Sequence, residues 1–139
     1  MSTPGTATAA NGDAVVVIAD DDSDIRQLIG VAARRAGAFI GASVADGAAA
    51  LQAIRDIRPD VAILDVSMPV LTGLQVCRSV RKDPDLAGVR VLLLSAAVQP
   101  QAVEAGIAAG ADRYAQKPFS PRTLAKQIHD LLTNDVPTR

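Results

Sequence analysis

Four short, mostly apolar runs of this chain each lead into polar or charged residues. The runs and the residues that follow them are 15–19 before Asp20 and Asp21, 61–64 before Asp65, 91–94 before Ser95, and 114–116 before Lys117. Such runs predict strands buried on both faces of a sheet, and the helical stretches between them supply the crossovers that parallel strands require. Because the carboxyl ends of parallel strands lie at one edge, we expect carboxylates, one hydroxyl and one ammonium to converge there. This combination suits a magnesium-dependent phosphoryl acceptor.

Composition narrows the range of architectures and partners. The 139 residues are enough for one domain with a sizeable core. Hydrophobic residues make up 49% of the chain and aromatic residues only 2%, which predicts an aliphatic core and argues against aromatic platforms for single-stranded nucleic acid. The net charge of −1 gives no electrostatic reason to expect a nucleic acid or an anionic membrane as a partner. We therefore expect output through contact with proteins.

Cysteine usage and the apolar runs bear on location. The single cysteine, Cys77, excludes an internal disulfide and fits a reducing compartment. No apolar run approaches the length of a membrane span, and the first residues lack the basic and apolar regions of a signal peptide. These features predict a cytoplasmic protein.

The chain repeats one strand–helix unit five times, which predicts a doubly wound α/β domain. The expected divisions are a flexible tail over 1–13, the domain over 14–133 and a short tail over 134–139. The tail at the start is rich in Thr, Ala, Gly and Asn, and it has too little apolar surface to offset its ordering entropy.

Residues typical of helix ends mark the helices. Ser23 or Asp22 can cap the first helix, and Ser120 followed by Pro121 is typical of the start of the last one. The predicted fourth helix, 99–109, carries a glycine at position 106, and a glycine within a helix costs about 1 kcal/mol relative to alanine. We expect this helix to be the loosest of the five.

Several motifs occur in a fixed order at the predicted strand ends. They are Asp20-Asp21, Asp65-Val66-Ser67-Met68-Pro69 with Gly73, Ser95-Ala96, and Gly110-Ala111-Asp112-Arg113-Tyr114 leading into Lys117-Pro118-Phe119. With these motifs the chain resembles the receiver domain of bacterial two-component response regulators, over roughly residues 15–132. The resemblance implies a flavodoxin-like sandwich with five parallel strands in the order 2-1-3-4-5.

The acidic residues allow a chemical interpretation beside the resemblance. A carboxylate at a strand end, such as Asp65, can attack a phosphoryl group and hold it as an acyl phosphate. Asp20 and Asp21 add two negative charges beside it, and Mg²⁺ is the cation that suits hard oxygen ligands shared with phosphate. The resemblance implies that Asp65 is the phosphoacceptor. It also implies that Asp21, Asp65 and the backbone carbonyl of Ser67 bind Mg²⁺ directly, while Asp20 acts mainly through water.

The resemblance implies roles for four further residues around the phosphoryl group. The Ser95 hydroxyl and the backbone N–H of Ala96 would donate to it. Lys117 would tether Asp65 and then a phosphoryl oxygen, and the Lys117-Pro118 peptide bond would be cis. Tyr114 would be an aromatic switch residue that changes its exposure as Ser95 moves, although packing alone could explain this tyrosine. Ala97, with Ser67, would border the path of the hydrolytic water.

Two rival functions are weighed against these residues. A phosphatase or mutase of the haloacid dehalogenase type also uses an aspartate nucleophile and Mg²⁺, but it needs a second carboxylate two residues later, where this chain has Ser67. A receiver-fold module that works without phosphorylation commonly lacks an acidic residue or the lysine, and both are present here.

His129 is interpreted as a surface residue and Cys77 as a buried hydrophobe.

The sequence thus predicts a stand-alone signalling switch and no enzyme beyond self-phosphorylation and self-dephosphorylation. The expected partners are a sensor histidine kinase or a histidine phosphotransfer protein, which would supply the phosphoryl group, and an unidentified downstream protein. A homodimer through the last helix stays open. No nucleic acid and no membrane are expected as partners.

Overall fold

A computed structural model describes residues 13–133, and the predictions for residues 1–12 and 134–139 lie outside this range. The strands are β1 (Ala14–Ala19), β2 (Ala38–Val44), β3 (Val61–Asp65), β4 (Arg90–Ser95) and β5 (Arg113–Gln116). The helices are α1 (Ser23–Arg35), α2 (Gly47–Ile57), α3 (Gly73–Lys82), α4 (Pro100–Ala108) and α5 (Pro121–Leu132), with a 3₁₀ turn at Pro84–Leu86. All strands pair in parallel, in the order β2-β1-β3-β4-β5. The predicted fold and strand order are confirmed.

The register of the sheet brings the polar strand ends together. Ala19 at the end of β1 lies beside Leu64, so Asp20 and Asp65 follow on neighbouring strands. At the other side of β3, Ser95 at the end of β4 pairs with Gln116, the residue before Lys117. One edge of the sheet therefore carries the whole set of polar residues that the sequence placed at strand ends.

Helices cover both faces of the sheet. Successive side chains of a strand point to opposite faces, and in the central strands both sets are apolar and must be buried. Val17 and Leu93 belong to an aliphatic core on the side of α2 and α3, whereas Ile18 and Leu92 pack on the side of α1 and α5. These side chains are fully buried, and the aliphatic core predicted from composition is confirmed.

Short polar side chains begin four of the five described helices. Asp22 caps α1 by accepting hydrogen bonds from the backbone N–H groups of Asp24 and Ile25. Ser120 caps α5 in the same way, and Pro121 is the first residue of that helix. Within residues 13–133, α4 alone begins without a side-chain cap, because Gln99 makes no such bond.

Helix α1 carries an exposed apolar pair. Leu28 falls at the helical spacing of the residues that face the core, yet its side chain and that of Val31 are each 42% exposed. Ile29 and Ala32 are fully buried instead.

The described helices include none that is both long and apolar enough to cross a membrane.

Candidate functional site

Three aspartates gather where β1 and β3 end. One carboxylate oxygen from each of Asp20, Asp21 and Asp65 lies within 4.8 Å of the others. Asp20 is fully buried and Asp65 is 5% exposed, whereas Asp21 is open to solvent. Three hard oxygen donors with one solvent-facing side fit Mg²⁺, which keeps several waters in its coordination shell.

The local backbone holds Asp20 rigidly. Its N–H donates to the carbonyl of Val44, and its Oδ1 accepts from the N–H of Asp22 at 2.9 Å. A guanidinium nitrogen of Arg26, one turn into α1, donates to the Asp20 carbonyl at 2.7 Å. The role of Arg26 was missed in the sequence, because an arginine in an exposed helix is usually a solvated surface charge.

Lys117 lies between two of the aspartates. Its Nζ is 2.7 Å from Oδ2 of Asp20 and 3.3 Å from Oδ1 of Asp65. The Lys117-Pro118 peptide bond is cis, as the resemblance implies, and the Lys117 N–H donates to the Ser95 carbonyl. The sequence predicts a pairing of this ammonium with Asp65 alone, but its contact with Asp20 is the shorter of the two.

The electrostatics of the site follow from burial and from these contacts. Burial, and next the charge of Asp20, raise the pKa of Asp65 above 3.8, while Lys117 and the backbone N–H of Ser67 oppose the shift. Burial lowers the pKa of Lys117, but the contacts with Asp20 and Asp65 outweigh it, so the pKa of Lys117 is raised. The lysine therefore stays cationic, and Asp65 gains from any further cation.

Ser95 and Tyr114 are joined through one residue of the loop after β4. The N–H of Ala97 donates to Oγ of Ser95 at 3.0 Å, and the Tyr114 hydroxyl donates to the carbonyl of Ala97 at 2.7 Å. Ser95 is 7% exposed, and Ala96, which follows it, is exposed. The resemblance places Ala97 beside the water path, whereas this connection between Ser95 and Tyr114 depends on backbone groups of Ala97 and carries no signal in the sequence.

The loop after β3 passes tightly beside Asp65. A Cβ on Gly73 would collide with the carbonyl oxygen of Asp65, which explains why a glycine follows the Asp65 motif at this distance. The Pro69 carbonyl accepts from the N–H groups of Gly47 and Leu71, so this loop is fastened to the start of α2. Ser67 is exposed, and its carbonyl role is a prediction from the resemblance.

Two residues that were assigned no chemistry lie where the sequence predicted. His129 is exposed on α5, and Cys77 is a fully buried core residue of α3. Of the two candidate caps of the first helix, Ser23 and Asp22, the structure has Asp22 as the cap of α1.

Comparison with known proteins places these features in a family context. A family profile, the response regulator receiver domain, matches residues 16–129. The DNA-binding response regulator MtrA of Mycobacterium tuberculosis is 35% identical over 113 residues, covering 81% of this chain and 48% of MtrA. The transcriptional regulatory protein CseB of Streptomyces avermitilis is 39% identical over 117 residues, covering 84% of this chain and 48% of CseB. The chain thus spans about half the length of the curated relatives that it matches.

A solved structure gives the same assignment of fold. The chemotaxis response regulator CheY4 of Vibrio cholerae matches with a TM-score of 0.80 and 35% sequence identity. The match covers 86% of this chain and 99% of that chain.

Proposed function

Because this chain belongs to the response regulator receiver domain family, we propose that it is a phosphorylation-dependent switch whose acceptor is Asp65. The observation that carries the proposal is the shared ammonium of Lys117, which contacts the buried carboxylates of Asp20 and Asp65 beside a cluster suited to a divalent cation. A buried carboxylate with a neighbouring cation can act as a nucleophile toward phosphorus.

The proposed transfer balances as a displacement at phosphorus. An oxygen of the Asp65 carboxylate forms a bond to the phosphorus of a phosphohistidine, and the bond from phosphorus to the histidine nitrogen breaks. The electron pair of that bond returns to the imidazole. Asp20, Asp21, Asp65 and the Ser67 carbonyl would hold Mg²⁺, which when bound neutralises charge on the transferring group.

After transfer, the donors at the ends of β4 and β5 have a new anionic partner. Lys117 pairs with a phosphoryl oxygen, and charge-assisted hydrogen bonds of this kind are about twice as strong as neutral ones. The Ser95 hydroxyl and the Ala96 N–H donate to the remaining oxygens. A phosphoryl group shifts the conformation only by the difference between its contacts in the two states, and these donors supply that difference.

The partner that delivers the phosphoryl group is a histidine kinase or a histidine phosphotransfer protein. Leu28 and Val31 form an exposed apolar pair on α1, the helix that begins two residues after Asp21. Apolar residues exposed next to a reactive site are typical of protein contact surfaces. We infer that this pair contributes to docking of the phosphoryl donor.

We propose that the phosphorylated chain passes its signal on by contact with a downstream protein. The names of MtrA and CseB refer to DNA binding and to transcription, so these relatives do not support an exclusion of nucleic acid. The proposal for this chain rests on its net charge of −1, because sequence-independent binding to DNA depends on a surplus of basic residues. A cytoplasmic location is part of the same proposal.

The test is phosphorylation by a small donor. The protein is mixed with Mg²⁺ and acetyl phosphate, and its intact mass should rise by about 80 Da, the mass of one phosphoryl group. Asp65→Asn should show no such adduct. Asp56→Asn, which changes an exposed aspartate on α2, is the matched control and should be modified like the wild type. A full-size adduct on Asp65→Asn would assign the acceptor to another residue.

A further inference from the structure

Gly106 is buried in the last turn of α4, and the ring of Tyr114 lies directly against it. A Cβ at position 106 would be 2.6 Å from Cδ2 and 2.9 Å from Cε2 of the tyrosine, and 3.2 Å from Cδ1 of Leu93. Real Cβ atoms essentially never approach a neighbour to within 3.0 Å. The absent side chain of Gly106 is therefore what makes room for the ring.

Helix geometry gives no reason for a glycine at this position. Gly106 does not have the positive φ that Gly37 and Gly110 have, so its backbone suits any residue. In a helix interior, glycine is less favourable than alanine by about 1 kcal/mol. The contact with Tyr114 is the feature of this position that requires glycine.

The position of the ring fixes the loop that follows β4. The Tyr114 hydroxyl holds the Ala97 carbonyl at 2.7 Å, and the Ala97 N–H binds Oγ of Ser95 at 3.0 Å. Because Oγ of Ser95 is the acceptor in this bond, the hydroxyl hydrogen stays available for another acceptor. A continuous set of contacts thus runs from the backbone of α4 to the hydroxyl at the end of β4.

We propose that Gly106 is a positioning residue of the switch, because it seats the Tyr114 ring where the hydroxyl can hold Ala97 and orient Ser95 toward a phosphoryl group on Asp65. The inference rests on the proposed function. It assigns the glycine of α4 a specific contact, whereas the sequence alone indicated only a loose helix. The substitution Gly106→Ala must move the ring by about 1 Å to reach an ordinary contact distance, and hydrogen bonds weaken steeply with such misalignment.

The experiment uses beryllofluoride as a phosphoryl mimic together with Mg²⁺. Tyr114 is the only tyrosine and the chain has no tryptophan, so tyrosine fluorescence reports on this ring alone. In Gly106→Ala we expect stronger quenching of this fluorescence by acrylamide. We also expect affinity for beryllofluoride to fall by about five-fold, which corresponds to one hydrogen bond of about 1 kcal/mol.

Two further variants separate the ring from the helix. Tyr114→Phe keeps the ring on Gly106 but removes the hydroxyl, so it should lose about the same five-fold affinity. Adding Gly106→Ala to that variant should then change the affinity little. Ala108→Gly, at an exposed position of α4, changes helix propensity without touching the ring and should leave both readouts as in the wild type.

Each failure has a separate meaning. Wild-type quenching and affinity in Gly106→Ala would overturn the inference, and so would an unchanged five-fold loss on adding Gly106→Ala to Tyr114→Phe. If Ala108→Gly and Gly106→Ala shift the affinity in opposite directions, helix propensity and not the ring is responsible. If the wild type binds no beryllofluoride and accepts no phosphoryl group, the proposed function is refuted. The acrylamide quenching of Gly106→Ala still shows in that case whether Gly106 sets the position of the Tyr114 ring.

Discussion

Replacing Lys117 by alanine should destabilise the unphosphorylated protein. At 2.7 Å and 3.3 Å from two carboxylate oxygens, the ammonium gains about 5 to 6 kcal/mol from each contact at an effective dielectric constant of about 20, before desolvation is subtracted. Asp20 is fully buried and Asp65 nearly so, and both would be left without this cation. Removing one partner of a buried pair costs about 3 to 5 kcal/mol. Because the Lys117 side chain is 20% exposed, we expect the lower value, about 3 kcal/mol.

The loss should depend on pH, and its sign follows from Asp65. Burial and the charge of Asp20 already raise the pKa of this carboxyl above 3.8, and without the lysine one opposing interaction disappears. A group whose pKa is raised by folding favours the folded state while it is protonated and loses that effect as pH rises through the folded pKa. The penalty of Lys117→Ala should therefore be largest at neutral pH and should shrink toward about pH 4.

Urea unfolding followed by circular dichroism, without Mg²⁺, measures this penalty. Lys126→Ala removes an exposed lysine from α5 and is the matched control, for which we expect a change within about 0.5 kcal/mol. A loss no larger than that of the control, or a loss that grows as pH falls, would refute the reasoning.

Three further predictions concern the same edge of the sheet. Mg²⁺ should raise the unfolding temperature, and the stabilisation should be about 2.7 kcal/mol when Mg²⁺ is in hundred-fold excess over its Kd. Asp21→Ala should abolish the increase, and equal stabilisation of the mutant would contradict the role of Asp21. Asp65→Asn should unfold at higher urea than the wild type at neutral pH without Mg²⁺, because it cannot carry the disfavoured charge, and the advantage should vanish toward about pH 4. Lys117→Ala should still accept a phosphoryl group but should show little change in amide exchange over residues 99–114 with beryllofluoride, where the wild type responds clearly; a wild-type response would make the lysine a bystander.

Features set by local chemistry were predictable from the sequence. The strands followed from their apolar runs and the start of α5 from Ser120 and Pro121, because caps and periodicity depend on neighbours in the chain. The strand order followed from the resemblance. The convergence of Asp20, Asp65 and Lys117 followed from parallel topology alone.

Features set by contacts between distant side chains could not be predicted. The shorter contact of Lys117 with Asp20 depends on how a long flexible side chain is placed within the folded pocket. Gly106 suggested only a loose helix, since its ring contact comes from a residue eight positions later on another element. The exposure of Leu28 likewise depends on which face of α1 packs against the sheet. Helical spacing alone does not decide whether Leu28 or its neighbour Ile29 is the more deeply buried residue.

The parallel register gives the two edges of the sheet different tolerance of changes in chain length. An inserted residue directly after a strand end would shift Asp21, Ala97 or Lys117 away from its partners, because these residues follow β1, β4 and β5. The connections that enter the strands carry no such residue, and Gly88, just before β4, is exposed with open space around its Cβ position. Exposed tips of this kind are preferred sites for inserted domains. A fluorescent domain inserted beside Gly88 should therefore leave the cluster of Asp20, Asp65 and Lys117 undisturbed.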